Sequence, residues 1–291
     1  LANIGQASGI GAGDASDDDT NAASLVFNGG VLQYTGANAT VWQPTQTPSV
    51  SIDRLFTLAG NGTIDSTGMY GDNDFSGGGF QNAASLILSN TAAVRFAGAS
   101  GGRTLTLTGA INLDSRFNRS FNNQIALLLA DGTSVGNTLS VTKTGNTLWK
   151  LTNPGNSYTG ATTVSAGLLE IGDDSSASTR TLSQNSNLTL SGGILVSSGT
   201  FARAAGTGAN EVRLINGAAS GFASGPGDLV VSLGTGTLAW GSGNFNVGTL
   251  YLNGPSSLGT VTFASPIDLN NGSRTIHVLD NVDTTFDYAI V

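Results

Sequence analysis

Residues 155–171 read GNSYTGATTVSAGLLEI. Tyr158, Thr163, Val164, Leu168, Leu169 and Ile171 are strand formers, yet Gly160 and Gly167 interrupt them within a few positions. No helix survives that spacing, and neither does a long strand, because glycine inside a strand marks a bend or a close approach of backbone. The stretch predicts several very short strands, each turned sharply into the next.

Composition extends this reading to the whole chain. Of 291 residues, 42 are glycine, about twice the usual share, and only 10% are charged. Thr, Ser, Asn and Gly must therefore supply most of the polar surface. The low charge argues against a self-repelling disordered chain, and the steady supply of Leu, Val, Ile and Phe argues against a flexible linker. A repetitive β architecture remains. The net charge of −8 and the scattered arginines speak against a nucleic-acid partner, which needs clustered Lys and Arg to neutralise phosphates. Cysteine is absent, which excludes disulfides and thiolate metal sites. The longest purely apolar run, IALLLA at 125–130, falls far short of the ~20 residues of a membrane span. The chain opens at Leu1 without a methionine and stops in mid-pattern at Tyr288-Ala289-Ile290-Val291. This predicts one continuous solenoid over 1–291, an internal part of a longer polypeptide.

Internal repeats support that expectation. LVFNGGVL at 25–32 matches LTLSGGIL at 188–195 with both glycine pairs superposed, and looser copies follow at Leu86, Leu105 and Leu250. Each copy has the form apolar, any, apolar, polar, then Gly or Asn. Alternation puts two side chains on one face, and Gly or Asn supplies the positive φ of a tight turn. Leu25, Phe27, Leu188 and Leu190 should thus point inward, with Gly29-Gly30 and Gly192-Gly193 turning. One such unit cannot bury its apolar face alone, but stacked units can. Units of about 20 residues would give thirteen or so coils and a rod on the order of 60 Å at the ~4.8 Å strand spacing. The fold class is all-β, a β-solenoid of stacked coils with almost no helix, and 41–80, which follows no repeat, reads as an irregular loop region.

A family resemblance lies in the same residues. Asn156, Tyr158, Gly160, Thr162, Val164, Gly167 and Leu169 resemble the N-x-Y-x-G-x-T-x-V-x-x-G-x-L signature of the autotransporter-associated β-strand repeat. Residues 139–145, LSVTKTG, are similar to its L-x-K-x-G lead-in. The match is clearest over 139–199, and 1–36 carries a weaker one. The resemblance implies a right-handed parallel β-helix passenger of a secreted or surface-displayed bacterial protein, extracellular or associated with the outer membrane. Its expected partners are surface glycans, other cell-surface proteins, or further copies of itself stacked end to end or laterally.

Candidate chemistry is sparse. Gly98-Ala99-Ser100-Gly101-Gly102 fits G-x-S-x-G, but a nucleophile elbow needs a helix after it, and Leu105-Thr106-Leu107 reads as another strand; a plain turn is expected. His277, the only histidine, sits near Asp280 and reads as a surface or edge residue rather than a general base. Asp14, Asp17 and Asp19, and separately Asp72 and Asp74, lie in glycine-rich runs of the kind that supply oxygen ligands to calcium. They match neither the EF-hand nor the β-roll register, so no cofactor is expected and calcium is the one ion these turns could hold. Among the aromatics Trp42 stands in a projecting, proline-flanked segment and is the candidate contact residue. Trp149 and Trp240 could also stack on sugars, whereas Phe27, Phe56, Phe96, Phe245, Phe263 and Tyr251 read as core.

Two functions follow. One is a non-catalytic rod used for adhesion or for self-association into an extracellular fibre. The alternative is a polysaccharide lyase or glycoside hydrolase on a β-helix, for which Asp72, Asp74, Arg95 and Arg103 are the candidates. The shortage of Glu, His and Lys favours the rod.

Overall fold

The computed structural model describes residues 1–35, 49–67, 85–110, 123–215, 217–281 and 284–291. Short strands run in parallel from one coil to the next. A seven-stranded sheet contains, in stacking order, Val31–Tyr34, Gly62–Ser66, Arg103–Thr108, Leu139–Lys143, Thr162–Val164, Leu188–Leu190 and Val212–Leu214. An eleven-stranded sheet runs from Val50–Ile52 through Leu86–Leu88, Asn123–Ile125, Leu148–Leu151, Leu168–Glu170 and Ile194–Ala202 to Thr275–Val278. A three-stranded and a two-stranded sheet complete the stack. All named strand pairs are parallel, as a β-helix requires, because each strand meets its counterpart one coil later.

The core lies between the sheets. Leu32, Ile64, Leu107, Val164, Leu190 and Leu214 of one sheet and Ile52, Leu88, Ile125, Leu151, Leu169 and Leu195 of the other belong to one buried cluster. Phe27, Leu188 and Leu190 are buried as expected, while Leu25 is only partly buried against the same cluster. Phe201, Phe222, Phe263, Phe245 and Trp240 add a chain of ring contacts at 5.3–6.3 Å between centroids. Burying these side chains at ~25 cal/mol per Å² is what holds neighbouring coils together.

Coil length differs from the sequence-based expectation. Val141 pairs with Thr162, an offset of 21 residues, but Leu139 pairs with Arg103, an offset of 36, and Gly62 with Leu105, an offset of 43. Coils are thus longer and fewer. The main path of the large sheet is nine strands deep, which at ~4.8 Å per step is about 40 Å rather than 60. Within 41–80, residues 49–67 are regular, carrying Val50–Ile52, Thr57–Leu58 and Gly62–Ser66 in register with their neighbours.

The turns also differ in detail. Gly29 has φ +84° and Gly192 φ +141°, while Gly30 and Gly193 do not enter the positive region. Among the described residues one helix is present, Asp18–Ala23. Asp17 has extended backbone and accepts from the Thr20 amide at 2.7 Å, which satisfies a helix-start donor.

The outward residues of the seven-stranded sheet form a ladder. Thr63, Thr106, Thr142, Thr163 and Thr189 are consecutive register partners, preceded by Val31 and followed by Arg213. The outer side of the large sheet is different: Leu148, Leu168, Ile194, Val196 and Ala223 form a second buried cluster. Trp149 and Leu169, one residue on from Leu148 and Leu168, face the main core instead, as period-2 alternation demands. The chain covers this outer stripe itself, for a Cβ at Gly254 would lie 3.6 Å from Leu168 Cδ2 and 3.4 Å from Ala223 Cβ.

Candidate functional site

The repeat signature is where chemistry-bearing side chains concentrate, and the structure gives each a task. Asn156 spans three coils: its Oδ1 accepts from the Leu129 amide at 2.8 Å, and its Nδ2 donates to the Thr181 carbonyl at 2.8 Å. Tyr158 is fully buried, and burial pushes its phenol up to about 12. Its hydroxyl meets Thr162 Oγ1 at 2.8 Å, and Thr162 in turn meets Ser186 Oγ at 2.9 Å. Gly160 lies against the preceding coil, where a Cβ would come 2.3 Å from the Leu139 carbonyl oxygen. Gly167, at φ +66°, stacks over Gly145 so closely that a Cβ would lie 2.4 Å from its carbonyl oxygen.

Lys143 of the lead-in reaches that glycine corner. Its side chain is buried, and Nζ donates to the carbonyls of Thr144, Gly145 and Ala166 at 2.6, 2.8 and 3.1 Å. Burial pushes the ammonium down to about 7. The same device recurs. Arg54, fully buried, donates to the carbonyls of Ala2, Asn3, Gln6, Gly11 and Ala12. Arg103 caps Ala97, Ala99, Gly101 and Gly102. Arg203 caps Leu182, Ser183 and Ser186 and also holds the buried Asp174 through two 3.0 Å contacts. These four buried cations are therefore fasteners that satisfy turn carbonyls, which have no partner in a strand ladder.

Of these cations the sequence reading singles out only Arg103, and for the enzymatic alternative rather than for capping, yet a signal for all four exists. Arg54 follows Ile52, Lys143 follows Val141, Arg203 follows Phe201, and Arg103 precedes Leu105, each two residues from a buried apolar neighbour. All four keep the inward phase of the strand they lie in or follow, where a long basic side chain buries its stem and carries its head to the turn.

The expected site residues fare variously. Asp14 accepts from the Ser16 amide at 2.9 Å, Asp17 caps the short helix, and Asp19 pairs with Arg95 Nε at 2.6 Å. The Thr20 amide and hydroxyl hold the Asp17 carboxyl below the usual range. Among the described residues no three Asp, Glu or His side chains converge on a common metal position. Trp42, Asp72 and Asp74 lie outside the described residues. Arg95 is engaged by Asp19 and Arg103 by the turn carbonyls. Trp149 and Trp240 are fully buried, donating Nε1 to the carbonyls of Thr108 and Val247, and so present no stacking face. Phe27, Phe56, Phe245 and Phe263 are core, and Phe96 is partly buried against it. Tyr251 faces outward instead, since Leu250 and Leu252 take the inward positions, and its ring lies 5.3 Å from that of exposed His277. Residues 98–102 form a turn leading into the strand Arg103–Thr108, with no helix after it.

Comparison with known proteins places these residues in a lineage. The passenger-associated-transport repeat matches residues 141–171, the segment holding Lys143, Asn156, Tyr158 and Gly167. The chain is also 30% identical over 293 aligned residues to the Adhesin BmaC autotransporter of Brucella suis biovar 1 (strain 1330); the match covers 83% of this chain and 8% of that protein. No solved structure matches significantly. Carrying that repeat in its stacked sheets and that kinship along most of its length, the chain is a passenger-type parallel β-helix repeat protein of the bacterial surface.

Proposed function

We propose that this chain is a non-catalytic rod segment of an adhesin passenger, which holds contact loops and sheet faces away from the cell for binding to surface glycans or surface proteins. The observation that carries the reading is the use of the buried polar groups. Lys143, Asn156, Asp174 and Arg203 are consumed in coil-to-coil or turn-capping bonds, and none is left at a cleft to move a proton or stabilise a charge. Kinship with a protein named as an adhesin supports the same reading.

The test is direct. The purified chain, displayed on beads, should adhere to glycan- or protein-coated surfaces, and changing Asp72 and Asp74 to Asn should leave adhesion unchanged. Incubation with acidic and neutral polysaccharides, with and without chelator, should release no oligosaccharide. Reproducible cleavage lost in the Asn variant would replace the rod by the polysaccharide-degrading alternative.

A further inference from the structure

We propose that Asn271 is an acceptor for an N-linked glycan, a sugar transferred to its carboxamide from a diphosphate-activated donor. Asn271-Gly272-Ser273 has the N-x-S/T acceptor pattern, which carries meaning in an exposed loop of a secreted or surface protein. The chain is of that class, so the deciding question is how the fold presents each copy of the pattern.

Three copies lie among the described residues, and the fold treats them differently. Asn187-Leu188-Thr189 is consumed by the stack. Asn187 Nδ2, the atom that would carry the sugar, donates to the carbonyls of Gly206, Gly208 and Glu211 at 3.0, 2.9 and 3.2 Å, and Thr189 is buried. Asn61-Gly62-Thr63 runs into the strand Gly62–Ser66. Asn61 Oδ1 accepts from the Thr104 amide at 2.9 Å, and Gly62 is packed so closely that a Cβ would lie 2.8 Å from Phe27 Cγ. Neither tripeptide can enter an enzyme's site without breaking bonds between coils.

Asn271 is the opposite case. It stands at the tip of a turn outside the strands, with φ +53° after Asn270 at φ +52°, and the Gly272 amide donates to the Leu269 carbonyl at 3.1 Å. Two consecutive left-handed residues closed in this way make a turn of the I′ kind. The groups around the tip are committed. The Asn270 amide donates to Asp268 Oδ1 at 2.8 Å and its Nδ2 to the Trp240 carbonyl at 3.3 Å, while Arg274 donates to the carbonyls of Leu269 and Trp240 at 3.1 Å each. The Arg274 guanidinium carbon lies 2.9 Å from where a Gly272 Cβ would sit, so glycine suits the middle position. Within this turn the Asn271 carboxamide and the Ser273 hydroxyl are exposed and have no partner among the described residues. A fixed turn thus holds out the two groups that the pattern requires.

The transfer balances without a redox partner. Asn271 Nδ2 attacks the anomeric carbon, the nitrogen–carbon bond forms, the carbon–oxygen bond to the diphosphate breaks with its electron pair leaving on oxygen, and Nδ2 gives up one proton to the transferase. The hydrophilic bulk of a glycan suits this stretch of chain, where Leu269, Ile276 and Val278 are 50%, 38% and 44% exposed.

The experiment maps the protein recovered from the surface of the bacterium that makes it, by proteolysis and mass spectrometry. The Asn271 peptide should carry sugar, and the Asn61 and Asn187 peptides none. A hexose or a short run of hexoses would identify a nucleotide-activated sugar as the donor, whereas a preassembled oligosaccharide of mixed sugars would identify a lipid-linked diphosphate. Ser273→Ala should remove the sugar and Ser273→Thr should keep it, with the circular dichroism of both variants unchanged. A bare Asn271, its conversion to aspartate without sugar, equal occupancy of Asn187, or a sugar that survives Ser273→Ala overturns the proposal. Adhesion of the same protein tests the rod reading separately, so that reading can stand while this site falls.

Discussion

Replacing Lys143 by Met probes how a turn is fastened. Methionine fills much of the space of the lysine stem, so the change removes the amine while keeping the packing. Three carbonyls lose their donor, and an unsatisfied buried carbonyl costs ~1–3 kcal/mol. Against that stands the cost of burying the charge. With the folded-state value near 7 and the unfolded one near 10.4, the unfolded chain binds the additional proton throughout the interval between them. Wild-type stability therefore rises with pH from about 7 to about 10, by ~1.4 kcal/mol per unit in the middle of the window. The variant lacks this group, so subtracting its stability from the wild type's cancels every other titration. The difference should be smallest and level below pH 7 and should widen by about 2.7 kcal/mol between pH 7.5 and 9.5. Urea unfolding followed by tryptophan fluorescence measures it, since buried Trp149 lies in the strand that follows Lys143. A difference that stays flat over those two units would show that the carbonyls keep the ammonium charged at all these pH values, and the burial argument would fail.

Three further outcomes are expected. Gly192→Val should cost more than ~1 kcal/mol, because φ is +141° and the new Cβ would lie 2.3 Å from the Ser165 carbonyl oxygen; an unchanged melting temperature would remove the turn assignment. Asp174→Ala should destabilise by ~3–5 kcal/mol by leaving Arg203 charged and without its carboxylate in the core, whereas a loss under 1 kcal/mol in chemical denaturation would show that the carbonyls alone satisfy the guanidinium. Asp17→Ala should lower the melting temperature slightly through loss of the helix cap, equally in calcium and in chelator; a loss seen only in calcium would assign that carboxylate to an ion.

The parity of apolar residues was enough to read the strands around Leu188 and Leu190, because a half-buried strand writes its inward face into every second position. The same parity marks Lys143 and Arg103 as inward, though a charge there looks like an error until the turn carbonyls are seen. Coil length was not legible. It is set by how far each loop departs before rejoining the stack, and the sequence between Gly62 and its partner Leu105 carries no mark of where the next coil begins. For that reason the threonine ladder was invisible too, since Thr63, Thr106, Thr142 and Thr163 become neighbours only once offsets of 43, 36 and 21 are known. The helix at Asp18–Ala23 is hidden because a run of Asp looks like a solvated turn, although Asp17 followed by Thr20 and Ala22-Ala23 is compatible with a capped start.

The unequal offsets between paired strands separate two dimensions of the molecule. Each strand needs only its two neighbours to be in register, so residues added between strands leave the stack sideways and thicken the rod without lengthening it. Reach grows one strand spacing at a time, through whole coils. A lineage building such rods can therefore change what is displayed at a given height above the cell by editing a loop, and change the height itself by duplicating a coil, with neither edit disturbing the other.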